Sequence, residues 1–199
     1  GTACNNAAVT FTNQTTIPIN NPTSLDWDFT SDGSTDLTTS QFDPQDGDAT
    51  YTYPAAGTYN VTLTATSMGC SSAPVTFPVT VYPLPIPSFS TLSACEGEAV
   101  NFVNATDTIG LSPTTFDWSF NTALGLGSPT STFENPSYTY PIAGSYSVSL
   151  EATNVFGCVG IDTVSVTVDE NPVSAFSLTD TCENIQAVFI DLSTAGSST

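Results

Sequence analysis

The chain has 199 residues, 39% of them hydrophobic, and carries 19 Asp and Glu against no Lys, Arg or His, a formal net charge of −19. Nucleic-acid binding and attachment to anionic membrane surfaces both need cations and are excluded, as are catalytic triads, Lys Schiff bases, His metal sites and Arg clamps. No side-chain ion pair can form and no apolar run is long enough to span a bilayer as a helix, so stability must come from apolar burial, ladder hydrogen bonds and covalent links.

Residues 3–11 read Ala-Cys-Asn-Asn-Ala-Ala-Val-Thr-Phe and return at 94–102 as Ala-Cys-Glu-Gly-Glu-Ala-Val-Asn-Phe. The frame appears a third time at 181–189, Thr-Cys-Glu-Asn-Ile-Gln-Ala-Val-Phe. A Trp strand follows, Leu25-Asp26-Trp27-Asp28-Phe29, matched by Phe116-Asp117-Trp118-Ser119-Phe120. Cys4 to Cys95 and Trp27 to Trp118 share one spacing, 91 residues, which falls to 87 from Tyr53 to Tyr140. The lost residues lie in the interval between, where length and composition vary as surface loops do.

Gly57-Thr-Tyr-Asn-Val-Thr-Leu-Thr-Ala-Thr66 alternates apolar and polar residues, and Gly144-Ser-Tyr-Ser-Val-Ser-Leu-Glu-Ala-Thr153 repeats it. A period of two marks a half-buried antiparallel strand. A Gly-Cys turn (Gly69-Cys70, Gly157-Cys158) leads to a last alternating strand, 75–81 or 164–168. Pro78 lacks a ladder donor and places the first of these at a sheet edge. Pro-rich joints, 83–89 and 170–176, separate the modules as short semi-rigid connections.

With seven or so short strands per module and no helical periodicity, the fold class is all-β, tandem immunoglobulin-like β-sandwiches in an elongated array. The expected divisions are 1–83, 84–170 and the start of a third module at 171–199. Module one lacks the Pro-x-x-Phe-type opening strand of the others, and Cys182 has no partner. The simplest account is a window cut from a longer array, and the second is a spare strand donated to a neighbouring molecule.

The five Cys follow the repeat, which argues for two intramodule disulfides, Cys4–Cys70 and Cys95–Cys158, with Cys182 left over. Each closes a loop of roughly 65 residues and adds about 4 kcal/mol by the loop-entropy estimate. The calcium candidates are Asp26, Asp28, Asp32, Asp36, Asp43, Asp46 and Asp48, since calcium takes six to eight hard oxygens and loops supply them; solubility and Asx turns explain the same residues. No other cofactor is expected. Trp27 and Trp118, mid-strand beside a Phe, read as core rather than sugar platforms. No pair of carboxylates is brought together as a glycosidase needs, so no enzyme activity is expected.

The run Trp27-Asp-Phe29, Asp32-Gly33, Tyr51-Thr-Tyr53 and Gly57-Thr-Tyr-Asn-Val-Thr-Leu63 resembles the PKD domain, the β-sandwich repeat named after polycystin. Module two keeps Trp118-Ser-Phe120 and Tyr138 to Leu150 but lacks the Asp-Gly pair. The opening from Cys95 to Phe102, the Gly-Cys turn and the Pro-rich joint are similar to PKD repeats of very large Bacteroidetes gliding-motility adhesins exported by the type 9 secretion system. That resemblance implies an extracellular, disulfide-containing adhesive filament segment. Its partners would be further repeats of the same chain and a surface polysaccharide or other extracellular ligand. It also implies O-glycosylation at Thr108 and Thr163, in Asp-Thr-aliphatic signals. PKD modules also serve secreted hydrolases, so a spacer or carbohydrate-binding appendage is the alternative.

Overall fold

The computed structural model describes residues 1–16, 23–41, 47–121, 128–179 and 186–196, without the side chains of 113 and 114. The chain divides into two compact units, Gly1–Leu84 and Pro85–Thr199. The described residues form strands, turns and extended backbone with no helix, as the period-two patterning predicts.

The first unit contains β1 (Thr2–Cys4), β2 (Ala8–Phe11), β3 (Thr23–Asp28), β4 (Leu37–Gln41), β5 (Ala49–Thr52), β6 (Gly57–Ser67), β7 (Cys70–Ser71) and β8 (Val75–Tyr82). The large sheet runs β1-β8-β6-β3-β4, with β7 folded back on β6, and β2 and β5 pair separately. The alternation of β6 buries Val61 against Leu25, Trp27, Phe29, Tyr53, Val79 and Val81. β8 is second in its sheet. However, β1 pairs only with 80–82, so Pro78 precedes that ladder and its missing N–H costs no bond there.

The second unit contains β9 (Phe89–Thr91), β10 (Ala94–Cys95), β11 (Ala99–Asn104), β12 (Pro113–Phe120), β13 (Thr130–Ser131), β14 (Ser137–Thr139), β15 (Gly144–Asn154), β16 (Val159–Asp169), β17 (Phe176–Leu178) and β18 (Phe189–Asp191). One sheet runs β10-β16-β15-β12-β13 and the other β14-β11-β9, while β17 and β18 pair with each other. The repeat extends to register: Gly57 lies opposite Val81 and Gly144 opposite Val168. In both units the first strand of the large sheet pairs in parallel with the last, β1 with β8 and β10 with β16.

Each core is built on a column of six aromatic rings. In the first unit it runs Phe11, Trp27, Phe29, Tyr51, Tyr53, Tyr59, and from Trp27 onward the neighbouring centroids are 5.9, 4.7, 4.8 and 4.4 Å apart. The second repeats it with Phe102, Trp118, Phe120, Tyr138, Tyr140 and Tyr146, at 6.3, 5.0, 4.7 and 4.0 Å over the same stretch. Such ring pairs add to the area they bury. Tyr59 and Tyr146 donate their hydroxyls to the carbonyls of Ala55 and Ile142, four residues back, and so hold the turn leading into each long strand.

The two expected disulfide pairings are not formed. Cys70 and Cys95 carry free thiols, whereas Cys4 and Cys158 are disulfide-bonded. Strand geometry gives the reason. Cys4 lies beside Tyr82, at the Gly57 end of the eleven-residue β6, and Cys70 lies beside Ser67, at its other end. At about 3.3 Å per residue the two are roughly 35 Å apart, against about 7 Å at most between bridged Cα atoms. In the second unit Cys95 sits beside Asp169, at the Gly144 end of β15, while Cys158 lies past its far end, next to the Val159–Thr153 pair. Cys182 lies outside the described residues.

Candidate functional site

The acidic loop after the Trp strand of the first unit is a turn held by its own carboxylates. Asp28 is 8% exposed, not directed to solvent as strand alternation suggests. Its Oδ1 accepts from the backbone N–H of Thr30 and Ser31, and its Oδ2 from that of Gly33 at 2.9 Å. Asp36 Oδ2 accepts from Phe29 N at 2.7 Å and from both donors of Thr30. These bonds allow the backbone to turn through Ser31 (φ 66°) and Gly33 (φ 84°), conformations that otherwise cost a residue with a Cβ about 1–2 kcal/mol.

The remaining candidates are dispersed. Asp32 accepts from the N–H and hydroxyl of Ser34, which hold its carboxyl below the usual carboxylate range. Asp26 takes the Thr38 hydroxyl at 2.8 Å, and Asp48 takes Asn13 N at 2.8 Å. Among the described residues no three His, Cys, Asp or Glu side chains are placed to hold a metal ion. The contacts of these five are Asx turns, loop closure and a cross-strand hydroxyl bond. Asp43 and Asp46 lie outside the described residues.

Both tryptophans are core, at 4% exposure for Trp27 and 1% for Trp118, and their indole N–H groups are spent on Thr39 Oγ1 and the Phe133 carbonyl. Neither is an open surface platform, although Trp27 also lines the cleft described below. Thr163 is exposed on β16 and Thr108 is half-buried ahead of the turn at Ile109-Gly110. The aspartate before each is already bonded: Asp162 to Thr163 N and Asp107 to Ile109 N.

The sequence reading missed two features. Tyr53 and Tyr140 are both fully buried, and neither hydroxyl has a hydrogen-bond partner. Burial, helped by the neighbouring tyrosines and by Asp36 and Asp28, pushes the Tyr53 phenol up to about 12, and burial raises Tyr140 further. Tyr-x-Tyr spacing in both modules marks the pair, but whether a hydroxyl finds a partner is not written in a sequence.

The second feature is an apolar cleft of about 690 Å³ in the first unit. Phe11, Trp27, Leu63, Ala65, Val75 and Phe77 form its apolar walls, with Thr10, Thr12 and Gln14 along one rim. Phe77 is 56% and Val75 69% exposed.

The PKD domain family model matches residues 1–81 and 84–168. Among solved structures the chain is similar to the PKD1 domain of Vibrio anguillarum Epp: 25% identity, 43% of this chain and 93% of that one, TM-score 0.37. It is likewise similar to the PKD1 domain of the Vibrio cholerae metalloprotease PrtV, at 29% identity over 43% and 96% of the two chains, TM-score 0.36. A fragment of intimin in complex with the Tir intimin-binding domain aligns at 12% identity over 84% and 60%, TM-score 0.45. No curated protein matches.

Proposed function

Because the chain belongs to the PKD domain family, with two consecutive copies at 1–81 and 84–168, we propose that it is a non-catalytic structural segment of an extracellular surface protein. The observation that carries this reading is the repetition of one framework. The aromatic column, the strand register and the parallel closure of first strand on last recur in both units. The carboxylates seen in the first unit's loop are occupied in holding that loop. What the sequence preserves from one module to the next is a framework, and a framework that can be repeated suits a stalk.

The finer proposal is an adhesin filament of the gliding-motility type, exported by the type 9 system, that holds a binding tip away from the cell. Support comes from the Cys-bearing first strand and Gly-Cys turn, and from the disulfide, which fits an oxidising compartment. Two exposures test it. Antibody against this segment should label intact source cells, and external protease should remove the signal. The isolated chain should pass through chitin and cellulose columns unretained. Strong retention would instead favour the carbohydrate-binding appendage, and labelling only after lysis would contradict an extracellular role.

A further inference from the structure

We propose that the aromatic column of each unit is a path for one-electron transfer, along which an oxidised Trp27 or Trp118 is repaired by the tyrosines at the far end of its own column. Packing alone does not explain which rings fill these columns. Tyr53 and Tyr140 are fully buried, and neither hydroxyl has a partner. Phe would take either place without stranding a polar group, and a buried polar atom left unpaired lowers stability. Both units nonetheless carry the phenol. What a phenol adds to a phenyl ring here, with no hydrogen bond made, is easier loss of an electron.

The order and tilt of the rings suit that role. Trp27, Phe29 and Tyr51 stack nearly parallel, at interplanar angles of 10° and 19°. Trp118, Phe120 and Tyr138 stack at 8° and 5°. Parallel faces let neighbouring π systems overlap, so Phe29 and Phe120, too hard to oxidise to hold the missing electron themselves, bridge indole to phenol. Beyond them Tyr53 and Tyr59 continue the first column at 4.8 and 4.4 Å, and Tyr140 and Tyr146 the second at 4.7 and 4.0 Å. Every ionised side chain is negative, and that field favours an electron-deficient ring inside the fold.

Light absorbed by Trp27 lets its indole give one electron to dissolved dioxygen, which becomes superoxide. An electron then crosses from Tyr51 to the indole radical cation. Trp27 is restored, and the phenol loses its proton to water as the phenoxyl radical forms. Tyr53 is a step on this path and not its end. A proton leaving its hydroxyl has no acceptor, and a ring that kept the proton would bury an unpaired positive charge. Tyr51 and Tyr59 are half-buried, which gives the proton a route to water, and Tyr59 already donates its hydroxyl to the Ala55 carbonyl at 2.9 Å. Tyr138 holds the place of Tyr51 in the second unit and is likewise half-buried. An external thiol closes the cycle by giving the phenoxyl a hydrogen atom and becoming a thiyl radical.

The test is flash photolysis of the full chain in oxygenated buffer, with excitation at the long-wavelength edge where indole absorbs and tyrosine does not. Trp27 and Trp118 are the two tryptophans of the chain, so the indolyl signal reports the columns alone. The expected trace is a first-order loss of indolyl absorbance matched by growth of phenoxyl absorbance, at a rate independent of protein concentration. The combined variant Tyr51→Phe, Tyr53→Phe, Tyr138→Phe, Tyr140→Phe keeps every ring in place and leaves the hydroxyl bonds of Tyr59 and Tyr146 intact. It should lose the fast phenoxyl rise. Under continuous light it should also accumulate oxidised Trp27 and Trp118 faster than the unaltered chain, as read by peptide mass. Tyr82, the tyrosine outside both columns, serves as the control, and Tyr82→Phe should change neither readout. Indolyl decay without phenoxyl growth in the unaltered chain would overturn the proposal. So would phenoxyl growth that persists at the same rate in the combined variant, or that disappears in Tyr82→Phe.

Discussion

Asp28 shows how one carboxylate holds a loop in a protein without cations. Its two oxygens accept from three backbone N–H groups within five residues. Asp28→Ala takes the acceptor from those donors in a turn where Thr30 is half-buried and Ser31 and Gly33 are exposed; water replaces part of what is lost, and about 1 kcal/mol of stability goes. Asp28→Asn, with one acceptor oxygen left, should lose less in the same urea titration. Tyr53 and Tyr140 act in the opposite sense. Tyr53's folded pKa, about 12, exceeds the ordinary 10, so the unfolded chain releases the phenolic proton first. Stability is therefore complete below pH 10 and falls as pH rises from about 10 towards 12. Tyr140, raised for the same reason, adds to that loss. The double change Tyr53→Phe, Tyr140→Phe removes two unsatisfied hydroxyls, so thermal melts should show unchanged or higher stability at pH 7 and a shallower decline above pH 10.

At the scale of the strand, equivalent residues are not equally placed. Leu150 is fully buried beneath a three-stranded sheet, and Leu63, its counterpart, lies in the open cleft. Leu150→Ala should cost about 2–5 kcal/mol and Leu63→Ala clearly less, as read by separate denaturation of each unit. The strands were legible in the sequence because period-two alternation reports directly on the face a residue occupies: Tyr59, Val61 and Leu63 fall on the inward side of β6 as expected. Asp28 departs from the alternation because it ends its strand, and the loop that follows curls back to bond its carboxylate. The cleft was legible only in part. Alternation shows that Leu63 and Ala65 face inward, but their partial exposure depends on packing across two sheets.

For the whole molecule, the same periodicity that located the modules misled on their cross-links. Equal spacing identifies Cys4 with Cys95 and Cys70 with Cys158. It does not report which end of an eleven-residue strand each occupies, and the length of β6 and β15 decides that the members of each pair cannot meet. Alkylation of the native, unreduced protein followed by peptide mapping should label Cys70 rapidly and the half-buried Cys95 more slowly. Cys4 and Cys158 should react only after reduction.

The central claim is that each module is a repeated structural unit that carries force between its neighbours. Pairing of β1 with β8, and of β10 with β16, joins the first and last strands of the large sheet in parallel, so tension on the chain shears ladder hydrogen bonds before it can peel either sandwich open. The most direct test is single-molecule stretching of this chain from its termini under reducing conditions. Two discrete unfolding steps are predicted, each releasing roughly 300 Å of contour length for a module of about 85 residues at about 3.6 Å per residue. Smooth extension without steps would contradict the account, and so would a single step that releases both modules together.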